Sequence, residues 1–301
     1  MTKRVVVGAD GSSAARCAAQ FAAREAAGRG AVLEVMHSFE VPITAVDPMG
    51  AAYVAVDQDE LVASARTVLA TEADRLRAVV PGVAIQPSLH EGSARTMLVD
   101  ASKDAELVVV GTEQANELTG FVLGSVCRHV LHRAHCPVAV VPTLPDGASQ
   151  EEMTMSKIIV GVDGSEQSRA ALDWAWEEAK LWKAPLHIVH AWVYPYAYGH
   201  RVTISEPVEL VKLDASHLLD HELSELRARK STGDGDGVEV HAQLIEGSPT
   251  EVILRESKDA DLIVVGSRGR GGFLSLMLGS VAHQVSNHAS CPVVVVRSPE
   301  A

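Results

Sequence analysis

Apolar and polar positions along this chain follow two rhythms in alternation. RVVVG (Arg4 to Gly8) is a short continuous apolar run that predicts a strand. A helix follows from about Ser12, its buried face marked by Ala18, Phe21 and Ala22 at i, i+3, i+4 spacing. AVLEVMH (residues 31–37) predicts a second strand, with a loop containing Pro42 and Pro48 after it. Leu61, Ala65, Val68, Glu72 and Leu76 recur at helical spacing and predict a long helix over about 57–80. Residues 83–90 predict a third strand, 93–102 a short helix and 106–111 a fourth strand. After a loop, a helix over about 125–133 leads to a last strand, PVAVV, at 137–141.

The pattern then starts again. VVVGADGSS at 5–13 returns as IIVGVDGSE at 158–166, an offset of 153 (158 − 5), and His37 returns as His190 at that offset. Glu91-Gly92-Ser93 matches Glu246-Gly247-Ser248 at 155 (246 − 91). Gly124-Ser125 and Cys136-Pro137 match Gly279-Ser280 and Cys291-Pro292 at the same offset. The two extra residues fall between His190 and Glu246. A period this long is a duplicated domain and not a solenoid repeat. The second set of strands reads IIVG, PLHIVHA, VEVHAQLI, DLIVVG and PVVVV. Strands alternating with helices predict parallel βαβ units, and near-continuous apolar strands predict a sheet covered on both faces. The expected organisation is a first domain over 1–143, a linker over 144–156 and a second domain over 157–301. The linker reading rests on TLPDGASQEEMTMS (143–156), which has no apolar period.

Composition narrows the function. Hydrophobic residues make up 47% of the 301 and aromatic ones only 4%, so aliphatic side chains must fill two cores. A formal charge of −13 repels phosphate backbones and anionic lipid, which speaks against nucleic acid and membrane surfaces as partners. No apolar run approaches the roughly 20 residues of a bilayer span. Met1-Thr2-Lys3-Arg4 leads directly into a strand without the apolar segment of a signal peptide. Cys17, Cys127, Cys136 and Cys291 include no CxxC pair and read as reduced thiols. The expected location is the cytoplasm.

Ligands of open α/β sheets bind beyond the carboxyl ends of the strands, where strand order reverses. After the fourth strand of the second half stands GSRGRGGFLSLMLGS (266–280), with the spacing Gly266-x2-Gly269-x9-Gly279-Ser280 ahead of a helix. Gly266 and Gly269 would let backbone N–H groups approach phosphate oxygens, and Ser280 would stand at the positive end of the helix dipole. Arg268 and Arg270 add cations suited to a polyphosphate. Asp163, at the end of the first strand, is placed to accept from a ribose hydroxyl or to help hold a metal. GxxxxGK[ST] is absent, and the glycine-rich segment does not follow the first strand as a dinucleotide fingerprint would.

The GVDGS start, the G-x2-G-x9-G-S loop and the ending CPVVVV together resemble the universal stress protein family, in its ATP-binding branch. The resemblance spans both halves. It implies two tandem doubly wound α/β domains, each a five-stranded parallel sheet in order 3-2-1-4-5 flanked by helices. It implies ATP as ligand with Mg²⁺ as counter-ion. Asp163 and the backbone near Ala191 would meet adenosine, with Gly161 and Val265 beside them. Gly266, Arg268, Gly269, Gly279, Ser280 and Val281 would surround the phosphates. It further implies regulation under stress without a defined turnover, and homodimers formed through the last strands. A slow ATPase and a nucleotide-independent scaffold are the competing readings, and the protein partner is left open.

The first half departs from this pattern. Asp10, Gly111, Gly124 and Ser125 match the site, but Gln114 replaces the second glycine and Glu113 and Glu117 bring carboxylates. A left-handed backbone at Gln114 would cost roughly 1–2 kcal/mol, and each carboxylate about 1 kcal/mol more near a triphosphate. Binding would fall by about two orders of magnitude, so the first site is expected to be weak or empty. Ser12 and Ser165 read as helix N-caps. His37 and His190 end the second strands, as structural histidines or at an adenine edge. His129, His132 and His135 beside Cys136 form no complete metal set, and Asp234 and Asp236 suggest calcium only faintly. Trp192, Tyr194, Tyr196 and Tyr198 would cover either a nucleotide or a partner surface.

Overall fold

The computed structural model describes residues 3–40, 58–116, 120–143, 155–194, 207–230, 237–270 and 278–298, with backbone alone at 113–116 and 120–122. Most of the 144–156 linker, Tyr196, Tyr198, Asp234, Asp236 and Glu117 lie outside the described residues. The chain divides into two compact units, Met1–Glu113 with Gly124–Glu151, and Gln114–Leu123 with Glu152–Ala301. Segment 114–123 of the first half therefore groups with the second unit.

The first half runs β1 (Arg4–Gly8), α1 (Ser13–Arg29), β2 (Val32–Phe39), α2 (Gln58–Val79), β3 (Ala84–Glu91), α3 (Ala94–Ala101), β4 (Leu107–Asn116), β5 (Gly120–Val122), α4 (Ser125–Arg133) and β6 (Val138–Pro142). The second runs β7 (Ile158–Gly161), α5 (Glu166–Trp182), β8 (Leu186–Trp192), α6 (Val208–Lys230), β9 (Val240–Glu246), α7 (Pro249–Glu256), β10 (Leu262–Gly266), α8 (Ser280–His288) and β11 (Val293–Val296). Strand order is β3-β2-β1-β4-β6 in the first and β9-β8-β7-β10-β11 in the second, which is 3-2-1-4-5 in both. The pairings along these paths are parallel.

That order explains the hydrophobic pattern. The chain builds outward from the first strand in one direction, then returns to add two strands on the other side. Right-handed crossovers therefore put the first two helices on one face and the last two on the other. Accordingly α1 packs with α2 and α3 with α4, and α5 with α6 and α7 with α8. Strands covered on both faces must be apolar throughout: Val5, Val6 and Val7 are fully buried, as are Ile158, Ile159 and Val160.

Ser12 and Ser165 are N-caps, as their positions predict. Ser12 Oγ accepts from Ala15 N at 3.1 Å and Ser165 Oγ from Ser168 N at 3.2 Å. One element departs from expectation. β4 does not end at Gly111 but continues to Asn116, and β5 pairs with it. Its register with β6 extends to Thr112↔Pro142, and Thr112 O then accepts from Thr143 N (3.1 Å) and Thr143 Oγ1 (3.0 Å). Nothing in Thr-Glu-Gln-Ala-Asn forces a turn, so the ladder runs on. In the second half β10 stops at Gly266.

Candidate functional site

In the second unit the reversal of strand order lies between β7 and β10, and the loops after both strands converge there. Val162 N donates to Val189 O at 2.9 Å, which carries the chain one residue past β7 to Asp163. Gly164 then turns at φ +76°, and Ser165 caps α5. The Asp163 carboxylate links the two loops. Its Oδ1 accepts from Ser165 N at 3.0 Å, a side-chain-closed turn. Its Oδ2 accepts from Arg270 N at 2.9 Å, across to the glycine-rich segment. Burial pushes the Asp163 carboxyl pKa up, but hydrogen bonds from Ser165, Arg270 and Ser168 outweigh it and hold the value below the ordinary range.

The glycines serve close packing. A Cβ on Gly266 would stand 2.8 Å from the Gln167 carbonyl carbon at the start of α5, and one on Gly161 2.7 Å from Ile253 Cδ1 of α7. A Cβ on Gly269 would overlap the Asp163 carboxylate. None of the three has a positive φ, so the second glycine is needed for room beside Asp163 and not for a left-handed backbone. The loop is tied at both ends: Ser267 N donates to Val296 O, and Gly279 N to Ser267 O, each at 2.7 Å. Gly279 then caps α8 with no side-chain hydrogen bond. The N–H groups of the first turn of α8 therefore have no side-chain cap as acceptor.

These parts enclose a cleft of about 460 Å³. Gly161, Asp163, Ala191, Val265, Gly266, Arg268, Gly269, Gly279, Ser280 and Val281 all line it, so the second-half residues expected to contact nucleotide are brought to one place. Arg270, named there only for its charge, lines it too. Val162, Ser168, Val189, Pro249, Ile253 and Ala282 were missed. The repeated Glu246-Gly247-Ser248 could have signalled Pro249 and Ile253, because it ends β9 on the same side and opens α7. Val162, Val189, Ala191 and Ile253 make one region apolar, whereas Asp163, the two arginines and the α8 N-terminus make another polar.

The first unit holds its matching residues differently. Asp10 is exposed and its Oδ1 accepts from Ser12 N at 2.9 Å. Among the described residues no hydrogen bond joins Asp10 to the segment after Gly111. A Cβ on Gly111 would overlap the Ala14 carbonyl, so this glycine repeats the packing role of Gly266. Gly124 caps α4 and Ser125 opens it, both exposed. Gln114 lies within β4. The left-handed backbone expected there is thus not the feature that separates the halves, because the position is extended strand in one and a loop in the other.

His37 and His190 share one role. Their Nδ1 atoms lie 2.6 Å from Ala9 O and 2.7 Å from Val162 O. A carbonyl only accepts, so Nδ1 carries the proton in each ring and fixes the residue that follows the first strand. Cys127, Cys136 and Cys291 are buried free thiols, and burial pushes each up to about 12. No helix among the described residues is long and apolar enough to cross a membrane.

Comparison with known proteins agrees with this architecture. The profile of the universal stress protein family matches residues 1–142 and again 155–297. A universal stress protein of Mycolicibacterium smegmatis is 32% identical over 297 residues, covering 97% of this chain and 96% of its own. One from Mycobacterium tuberculosis is 32% identical over 317 residues, covering 98% and 95%. The crystal structure of a universal stress protein from Archaeoglobus fulgidus matches 98% of each chain at a TM-score of 0.69 and 21% identity, a likeness of fold.

Proposed function

Because the chain belongs to the universal stress protein family, we propose that its second unit binds an adenine nucleotide and that the bound nucleotide regulates the protein in a stress response. The observation that carries this reading is the cleft itself. Its volume of about 460 Å³ falls in the ordinary range for small-molecule sites, roughly 300–1,000 Å³. Its apolar region suits a base, and the α8 N-terminus with Arg268 and Arg270 suits phosphates. Among the described residues that line it Asp163 is the one carboxylate, and each of its oxygens accepts a backbone N–H. These residues fit a Mg²⁺ held through phosphate oxygens better than one ligated by the protein.

The same two hydrogen bonds favour a binding protein over an ATPase, since they commit the cleft's carboxylate to fixing its loops. The first half is proposed to bind weakly or not at all. Its glycine-loop segment continues as β4 to Asn116 and pairs with β5. Titration calorimetry of the nucleotide-stripped protein with MgATP tests both points. One site per chain is the expected result, two equal sites would overturn the asymmetry, and no binding would overturn the nucleotide reading. Phosphate release below one turnover per bound ATP over hours is expected alongside. Self-association, which the resemblance implies, is a separate proposal, and a clean monomer in sedimentation at micromolar concentration would argue against it.

A further inference from the structure

The two halves treat one outer edge of their sheets differently. β3 and β9 begin the strand orders β3-β2-β1-β4-β6 and β9-β8-β7-β10-β11, and among the described residues each pairs on one side only. In a parallel ladder, alternate residues of a strand turn their N–H and C=O to the same neighbour. Leu186 N donates to Glu239 O at 2.8 Å and Gly247 N to Trp192 O at 2.9 Å. Odd-numbered residues of β9 therefore serve β8, and the backbone groups of Val240, Ala242, Leu244 and Glu246 point outward. In the first half Gly92 N donates to Phe39 O at 2.9 Å, so the outward set is Ile85, Pro87, Leu89 and Glu91. Pro87 and Ala242 hold the same place, 155 apart (242 − 87), opposite Val35 of β2 and Ile188 of β8. Proline removes an outward donor from the middle of β3 and so discourages an added strand. β9 has no such guard. From Val240 to Ile245 it carries neither proline, lysine nor carboxylate, and His241, Ala242 and Gln243 are exposed.

We propose that β9 is a self-recognition edge, through which two copies of this chain pair antiparallel about a two-fold axis at Ala242. The strand's own pattern favours a second copy as the occupant. Reversed upon itself about Ala242, it sets Val240 opposite Leu244 on one face and His241 opposite Gln243 on the other. Apolar meets apolar and polar meets polar. Glu239 faces Ile245 and Glu246 faces Val238, so no carboxylate opposes another. Residues with outward backbone groups also face one another, which is the hydrogen-bonded arrangement of an antiparallel pair. An isologous contact of this kind occupies both edges at once and leaves neither open to further strands. β9 lies at the opposite end of its strand order from β11, so the contact is distinct from one through the last strands. A strand of 7 residues makes a small interface, and association is expected between about 1 µM and 1 mM.

The test is sedimentation equilibrium of the full chain across that range, comparing the parent with Ala242→Pro and Ala242→Lys. Ala242→Pro copies the first half and deletes only a donor that points outward, so circular dichroism and Tm should match the parent. The parent's weight-average mass should climb with concentration, and both variants should weaken that association by about tenfold or more. Ala242→Cys adds a readout of register. In a pair centred on this residue the two Cα atoms lie about 5.5 Å apart, within disulfide reach. Mild oxidation should then link the copies faster than in the parent, where the partly exposed Cys17 is the control. A parent whose mass does not climb would overturn the proposal and leave the edge to extended peptides of other chains. Association that neither variant weakens would overturn it in favour of another surface, the last strands first. Cross-linking no faster than the parent's would overturn pairing at Ala242. If Ala242→Pro perturbs the fold, Ala242→Lys and the cysteine link decide between these outcomes.

Discussion

A methyl group on Gly269 would overlap the Asp163 carboxylate, so Gly269→Ala must displace either that carboxylate or the loop that donates Arg270 N to it. The backbone there needs no positive φ and the position is exposed, so the fold should survive. The expected outcome is an unchanged far-ultraviolet spectrum with nucleotide affinity down by about tenfold or more, read by calorimetry. Asp163 also makes a prediction about acid. Its folded pKa is depressed, so its contribution to stability is full above the unfolded value of about 3.9 and is lost as pH falls through the folded value. The joint between the two loops should therefore hold above about pH 4 and loosen below it, before or with global unfolding. Asp163→Asn should remove that part of the acid dependence in an acid titration. The three buried thiols, held up to about 12, should resist alkylation in the native protein and leave Cys17 as the one that reacts.

Among the elements, strand centres and helix faces were legible because burial writes them into the sequence. β1, β7 and α4 fall where the apolar periods end, and the repeat locates each element twice. Of the ten second-half residues that line the cleft, Gly266, Gly269, Gly279 and Ser280 were legible as a spacing, whereas Gly161, Ala191, Val265 and Val281 came only through the family resemblance. What the pattern withheld was the reason for it. Gly266 and Gly161 are small because a helix backbone and an isoleucine press against them, a tertiary fact without local signature. The extension of β4 was hidden for a related reason: Thr112 to Asn116 carry no apolar run, yet the ladder to β6 holds Thr112 and the rest of the strand pairs with β5. A change that mends only the glycine pattern should then achieve little. Gln114→Gly restores the spacing of the first half but leaves Glu113 and Ala115 where the second half has arginines, inside a strand that glycine weakens by roughly 0.5–1 kcal/mol. Calorimetry on this variant should still count one nucleotide site per chain. A second site would return the argument to the glycine alone.

At the scale of the whole molecule, duplication has produced two units with one topology and, on the reading proposed here, one working cleft. Chemistry supplies a way to observe them separately. All four tryptophans, Trp174, Trp176, Trp182 and Trp192, lie in the second half, on α5 and at the end of β8. Trp192 directly follows Ala191, which lines the cleft. Tryptophan fluorescence thus reports unfolding of the second unit alone, whereas far-ultraviolet circular dichroism reports helices of both. A ligand at 100 times its Kd that binds only the folded site stabilises by about 2.7 kcal/mol. For a unit of this size that raises Tm by roughly 5–10 °C, at about 2–4 °C per kcal/mol. Saturating MgATP should shift the fluorescence transition by this amount, and Gly269→Ala should reduce the shift. If the first unit also held nucleotide with similar affinity, a dichroism component invisible to fluorescence would move as well. That component is expected to gain nothing from a site of its own, because the glycine-loop segment of the first half continues as a strand.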